Sequence, residues 1–295
     1  MRPFRNVRLF YVLALLCTQT AGAADIVIEP RSGSFTYVDA QGDAAKRMTV
    51  YTYLPSGVGA KDAKILFALH GASKNARGMR DTWIAHANQY GLMVIAPLFD
   101  AGQWPSGAYS YASVMSQAGR RYDPSQWSFS VIEHLFDDVK SATGNPAATY
   151  YLYGHSEGGQ FVHRLVTLLP AARYSRAVAA NAGWYMMPNF GVKYPHGLGE
   201  APVTDDSLRK ALGRDFVVML GDRDTDPNHY QLSKTPQAMA QGIHRYERGH
   251  NYFRQARERA SELQCAFGWR LHTVPFAAHE NSKMARAAAE VLAGH

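Results

Sequence analysis

Cysteine is scarce: the 295 residues contain two, Cys17 and Cys265. Cys17 lies in an N-terminal stretch that reads as a cleavable leader. A processed chain would keep Cys265 alone and could form no intramolecular disulfide, so stability must come from a packed core. Long apolar runs are also missing, and residues 9–17 are too few to span a bilayer. No lysine/arginine run is long enough to track a nucleic-acid backbone, and the net charge of +7 falls to +4 without the leader's three arginines. The 12 histidines never stand at H-x-x-x-H or a similar metal spacing. Nucleic acid, a stable membrane anchor and a bound metal are therefore not expected. There is no internal repeat, low-complexity tract or interdomain linker.

The leader itself has three parts: Arg2, Arg5 and Arg8, the apolar residues 9–17, and Ala21-Gly22-Ala23 as an A-x-A cleavage site. Leu16 stands where a lipoprotein leader carries a small residue. The expectation is a signal peptide over 1–23, a single α/β domain over 24–295, and a periplasmic or secreted protein.

Residues 149–159, TYYLYGHSEGG, organise the rest. Residues 149–153, rich in β-branched and aromatic side chains, predict a buried strand, and QFVHRLVTLL after Gly159 has apolar residues at helical spacing. Between strand and helix lies Gly154-His155-Ser156-Glu157-Gly158. A serine on so sharp a turn is strained, and the turn closes only if the residues two before and two after it lack side chains. Such a serine is a nucleophile held clear of its own backbone, with the N–H of Glu157 as one donor to a developing oxyanion.

The rest of the chain alternates. Short extended runs over 25–56 predict opening antiparallel strands. Residues 64–71, KILFALHG, form an apolar run suited to a strand covered on both faces, a helix follows over 75–90, and LMVIAP over 92–97 is the next strand. Residues 98–127 read as a loop over one end of the sheet. Ser130 and Glu133 suggest a capping box on a helix burying Val131, Ile132, Leu135, Phe136 and Val139. Further strands are expected over 176–182, 215–221 and 269–275. This order predicts a mainly parallel sheet with helices on both sides, whose site gathers at the strands' carboxyl ends.

Three more groups fall at such ends. His70-Gly71-Ala72-Ser73 follows a buried strand, and the Ala72 N–H could complete a two-donor oxyanion hole. Asp222, Asp224 and Asp226 follow DFVVMLG. The spacing Gly221-x-x-Asp224 favours Asp224 as the acid, with Asp226 second. A calcium loop is excluded there by Pro227 and Ser233 at the sixth and twelfth positions. His279 alone lies after the last strand and before the last helix, completing the order nucleophile, acid, base. His155 and His229 flank this set. Trp184 and Tyr185, following a strand beside the nucleophile, are candidate walls of an apolar or aromatic substrate pocket.

The HG loop, GHSEG elbow, GxxD turn and late histidine resemble, in order and spacing, the bacterial α/β-hydrolases over nearly all of the mature length. The compact build and LHGAS segment are similar to the secreted esterase branch containing polyhydroxybutyrate depolymerase-like and feruloyl esterase-like proteins. The resemblance implies an eight-stranded sheet, no cofactor, and a triad of Ser156, Asp224 and His279. Paired mature cysteines and an appended polymer-binding domain are missing, which counts against a polymer substrate. The expected function is cleavage of small carboxylic esters through an acyl-enzyme. Polyester or peptide hydrolysis on the same triad, or a non-catalytic binding role, are the rivals.

Overall fold

The computed structural model describes residues 26–116 and 118–294, so the expected leader lies outside the described residues. Strands β1 (Arg31–Tyr37) and β2 (Met48–Leu54) pair antiparallel, and β2 pairs antiparallel with β4 (Leu92–Pro97). Every other pairing is parallel, through β3 (Lys64–Leu69), β5 (Tyr150–His155), β6 (Tyr174–Ala180), β7 (Phe216–Gly221) and β8 (Trp269–Val274). The order in this eight-stranded sheet is β1-β2-β4-β3-β5-β6-β7-β8. The expected architecture is thus the observed one.

The near-continuous apolar strands divide their side chains between two cores. Ile65, Phe67 and Leu69 of β3 join one, while Leu66 and Ala68 join the other. A period of two places neighbours on opposite faces, so both faces need a helical cover. Helices α1 (Ala76–Thr82), α2 (Ile84–Tyr90) and α9 (Asn281–Ala293) contribute Met79, Ala87 and Met284 to one side. On the other side α3 (Ser106–Tyr109), α4 (Ser128–Thr143), α5 (Glu157–Leu168), α6 (Asp205–Leu212) and α8 (Arg245–Glu262) contribute residues such as Tyr109, Phe136, Phe161, Leu208 and Tyr252. The short α7 (Pro236–Met239) leads into α8.

Two local expectations need correction. The helix expected over 75–90 is broken at Trp83, whose wholly buried ring packs edge-on against Tyr153 at 4.9 Å, so tertiary packing overrides a continuous helix. The Ser130–Glu133 capping box does not form, because α4 starts earlier, at Ser128. Ser130 Oγ instead donates to the Pro124 carbonyl, and Glu133 pairs with Arg173 at 2.7 Å. The buried face of α4 is as expected.

Candidate active site

β5 ends at His155 and α5 begins at Glu157, leaving Ser156 alone to reverse the chain with φ 57 and ψ −117. That left-handed φ is costly for a side-chain-bearing residue, and close packing enforces it. A Cβ on Gly154 would lie 2.2 Å from the Gly158 carbonyl oxygen, and one on Gly158 would lie 2.3 Å from the Leu69 oxygen. The Ser156 N–H donates to the Ala180 carbonyl at 2.9 Å, fixing the turn to β6.

The structure brings Ser156, His279 and Asp224 together. His279 Nε2 lies 3.0 Å from Ser156 Oγ, and His279 Nδ1 lies 2.7 Å from Asp224 Oδ2. A carboxylate only accepts, so Nδ1 carries the proton and Nε2 is left to accept from the serine hydroxyl. Asp224 is buried on the tight turn after β7, its N–H donating to the Gly221 carbonyl at 3.1 Å. Asp226 is exposed and caps its own turn, accepting from the Asn228 N–H at 2.8 Å.

Two positioning residues escaped the sequence reading. Arg245, buried at the start of α8, donates to the second oxygen of Asp224 at 3.3 Å and to His229 Nδ1 at 3.1 Å. It holds the carboxylate from the side opposite His279. Asn181, just after β6, accepts from the Gly221 N–H at 2.8 Å and donates to the Ala278 carbonyl at 2.9 Å. One side chain thereby ties together the strand ends that present Asp224 and His279. A buried arginine and a post-strand asparagine carry no local sequence pattern.

The flanking histidines lie against His279. The His155 ring is 4.7 Å away and the His229 ring 5.3 Å away. Burial, then the charges of His279 and Arg245, push His155 well below the ordinary imidazole range. Burial and the charge of Arg245 likewise lower His229. Both rings are thus kept neutral beside the central imidazole.

The loop after β3 runs against the nucleophile, since a Cβ on Gly71 would lie 3.4 Å from Ser156 Cβ. The buried His70 shapes this loop: its Nε2 accepts from the Phe99 N–H at 3.1 Å and its Nδ1 bonds the Gly71 carbonyl at 2.9 Å. Burial lowers His70 to about 4, so the neutral tautomer with Nδ1–H is fixed. Lys74 Nζ reaches Glu157 Oε2 at 2.8 Å and lies 4.2 Å above the Tyr109 ring, tying the loop to the start of α5. Among the described residues, the N–H groups of Ala72 and Glu157 meet no protein acceptor. Both stand beside Ser156 in the chain segments that meet there.

Trp184 and Tyr185 do not line this site. Tyr185 is wholly buried, stacked on Tyr252 at 4.5 Å, with its backbone clamped by Gln241. Trp184 is sandwiched between His196 at 4.1 Å and the Arg164 guanidinium at 4.3 Å. Their apolar surface serves the core, which competes for aromatic side chains as strongly as any pocket.

The fold is that of the esterase-type hydrolases. The structure of poly(aspartic acid) hydrolase-1 from Sphingomonas sp. KT-1 is 43% identical, with a TM-score of 0.86 over 90% of this chain and 99% of that one. LpqC, a poly(3-hydroxybutyrate) depolymerase from Bordetella parapertussis, is 31% identical, with a TM-score of 0.85 over 89% of each chain. S-formylglutathione hydrolase from Agrobacterium tumefaciens shares the fold at 15% identity, with a TM-score of 0.57 over 88% of this chain and 92% of that one. No protein-family model matches, and neither does any curated protein. The chain belongs to the esterase-type branch of the α/β-hydrolase superfamily.

Proposed function

We propose that the protein is an exported serine hydrolase that cleaves carboxylic esters through an acyl-enzyme. The observation that carries this reading is the continuous relay from Ser156 Oγ to His279 to Asp224, with steps of 3.0 and 2.7 Å. As Ser156 attacks the ester carbonyl, His279 Nε2 takes its proton, and Asp224 stabilises the imidazolium without becoming protonated. The N–H groups of Ala72 and Glu157 receive the oxyanion. His279 then protonates the departing alcohol, and water repeats the sequence to release the acid and regenerate the serine. Export rests on the basic, apolar and A-x-A segments of residues 1–23.

Ser156→Ala should reduce turnover of a short p-nitrophenyl ester by roughly 10⁴-fold or more while the thermal unfolding curve stays in place. Unchanged turnover would move the nucleophile elsewhere.

A second reading, hydrolysis of a polymer on the same triad, is favoured by the two similar structures, a poly(aspartic acid) hydrolase and a poly(3-hydroxybutyrate) depolymerase. Product release from soluble poly(aspartic acid), from polyhydroxybutyrate film and from a monomeric ester, measured side by side, separates the readings. The first predicts that the monomeric ester has the highest kcat/KM.

A further inference from the structure

The space beside Ser156 is not the apolar pocket that Trp184 and Tyr185 suggested. It is a cleft of about 360 Å³ at the carboxyl ends of β3, β5, β7 and β8. Beyond the reacting residues, Ser73, Asn75, Thr82, Tyr230, Gln231 and Asn281 line it, and its large apolar surfaces are Met79 and the Tyr230 ring. Among the described residues, no carboxylate, ammonium or guanidinium lines it.

Some of these polar groups are already used. Asn281 accepts from the Tyr153 hydroxyl at 2.9 Å and donates to Thr82 at 3.3 Å, and Thr82 donates to the Gly78 carbonyl at 2.8 Å. Others are not. Asn75 caps α1 through Oδ1, which accepts from the Gly78 N–H at 2.8 Å, and its Nδ2 makes no hydrogen bond among the described residues. Among the described residues, the side chains of Ser73, Tyr230 and Gln231 make no protein hydrogen bond, and the buried Nε2 of His155 has no partner. Tyr230 is 87% exposed, its ring stacked on His229 at 4.9 Å.

Unspent donors and acceptors therefore reach the cleft from two loops, Ser73 and Asn75 after β3, Tyr230 and Gln231 after β7. An alkyl chain entering here would displace their water and return nothing, whereas a neutral polar chain replaces those bonds. We infer that the substrate carries uncharged hydrogen-bonding groups, amide or ester carbonyls or hydroxyls, within a few bonds of the scissile carbonyl. Asn75 and Gln231 are its specificity-determining residues. This rests on the serine-hydrolase reading and narrows its substrate class.

Two matched ester pairs test it: p-nitrophenyl N-acetylglycinate against p-nitrophenyl pentanoate, and 2-acetamidoethyl butyrate against pentyl butyrate. Each rate is divided by that ester's hydroxide-catalysed rate. The polar member of at least one pair should have a kcat/KM about tenfold higher, the effect of one or two neutral hydrogen bonds. That ratio should fall toward one in Asn75→Ser, which keeps a capping oxygen, or in Gln231→Met. Equal or reversed preference in both pairs, or a preference that neither substitution moves, would overturn the inference. If no ester is hydrolysed and a fluorophosphonate leaves Ser156 unlabelled, the serine-hydrolase reading itself falls, and this inference with it.

Discussion

Ser156 is held at a positive φ by neighbours that have no Cβ, and its hydroxyl meets an imidazole whose tautomer a buried carboxylate dictates. The identity of that carboxylate was the open question at this scale, since three aspartates follow β7 within five residues. Geometry separates them: Asp224 reaches His279, while Asp226 faces solvent. Asp224→Asn keeps the shape but can donate to Nδ1, which favours the wrong tautomer. It should lower kcat by roughly 10⁴-fold, the size of the corresponding change in the chymotrypsin-type triad. Asp226→Asn should leave ester turnover within about twofold, because exposed sites away from the chemistry tolerate change. Equal losses in the two variants would show that the acid is wrongly assigned. The spacing Gly221-x-x-Asp224 made Asp224 legible in the sequence, because a tight turn fixes distance along the chain. Arg245 was not legible, because it reaches Asp224 from 21 residues away.

At the scale of elements, the site is a junction between the β5–α5 elbow and the end of β3. A Cβ on Gly158 would meet the carbonyl oxygens of Leu69 and His70 at 2.3 and 2.8 Å, both of them backbone atoms. Gly158→Ala must therefore push the end of β3 and the loop carrying Ala72. Overpacking of this kind costs about 1–3 kcal/mol or more, and about 2–4 °C of Tm per kcal/mol for a chain of this size. The melt should shift down and kcat should fall together; a variant with both unchanged would refute this account of the elbow. Strands and the nucleophile turn were readable because glycine spacing and apolar runs are local signals. The break at Trp83 and the absent capping box were not. Trp83 obeys Tyr153, and Glu133 obeys Arg173, partners that no window of neighbouring residues contains. The polar cleft was hidden for the same reason: its walls come from loops separated by more than 150 residues.

Across the whole molecule, several histidines are buried and neutral. Burial lowers His70 to about 4 and takes His155 and His163 well below the ordinary range. Unfolding releases them to an imidazole value near 6.5. Below about pH 6.5 the unfolded chain therefore binds protons that the folded chain refuses. Stability is intact above that pH and is lost as pH falls toward each folded value, to about 4 for His70, by up to about 1.4 kcal/mol per pH unit for each histidine. His134 acts in the opposite sense. Its hydrogen bond to Asp39 raises its value, so its contribution is full below about pH 6.5 and lost as pH rises through the folded value. Burial also lowers His86, His196, His229 and His250, so seven histidines stand against one: urea midpoints should fall steadily between pH 7 and 5, and His163→Gln should flatten the fall. A midpoint independent of pH would contradict the burial of these rings.

Catalysis by this site turns on a covalent bond between substrate and Ser156. Rapid acid quench of the protein during turnover of a p-nitrophenyl ester, followed by peptide mass spectrometry, observes that bond directly. The expected result is one added acyl group, on the peptide containing Ser156, formed within the burst of p-nitrophenol and absent from Ser156→Ala. An acyl group on another residue, or steady turnover by a protein that is never acylated, would contradict it.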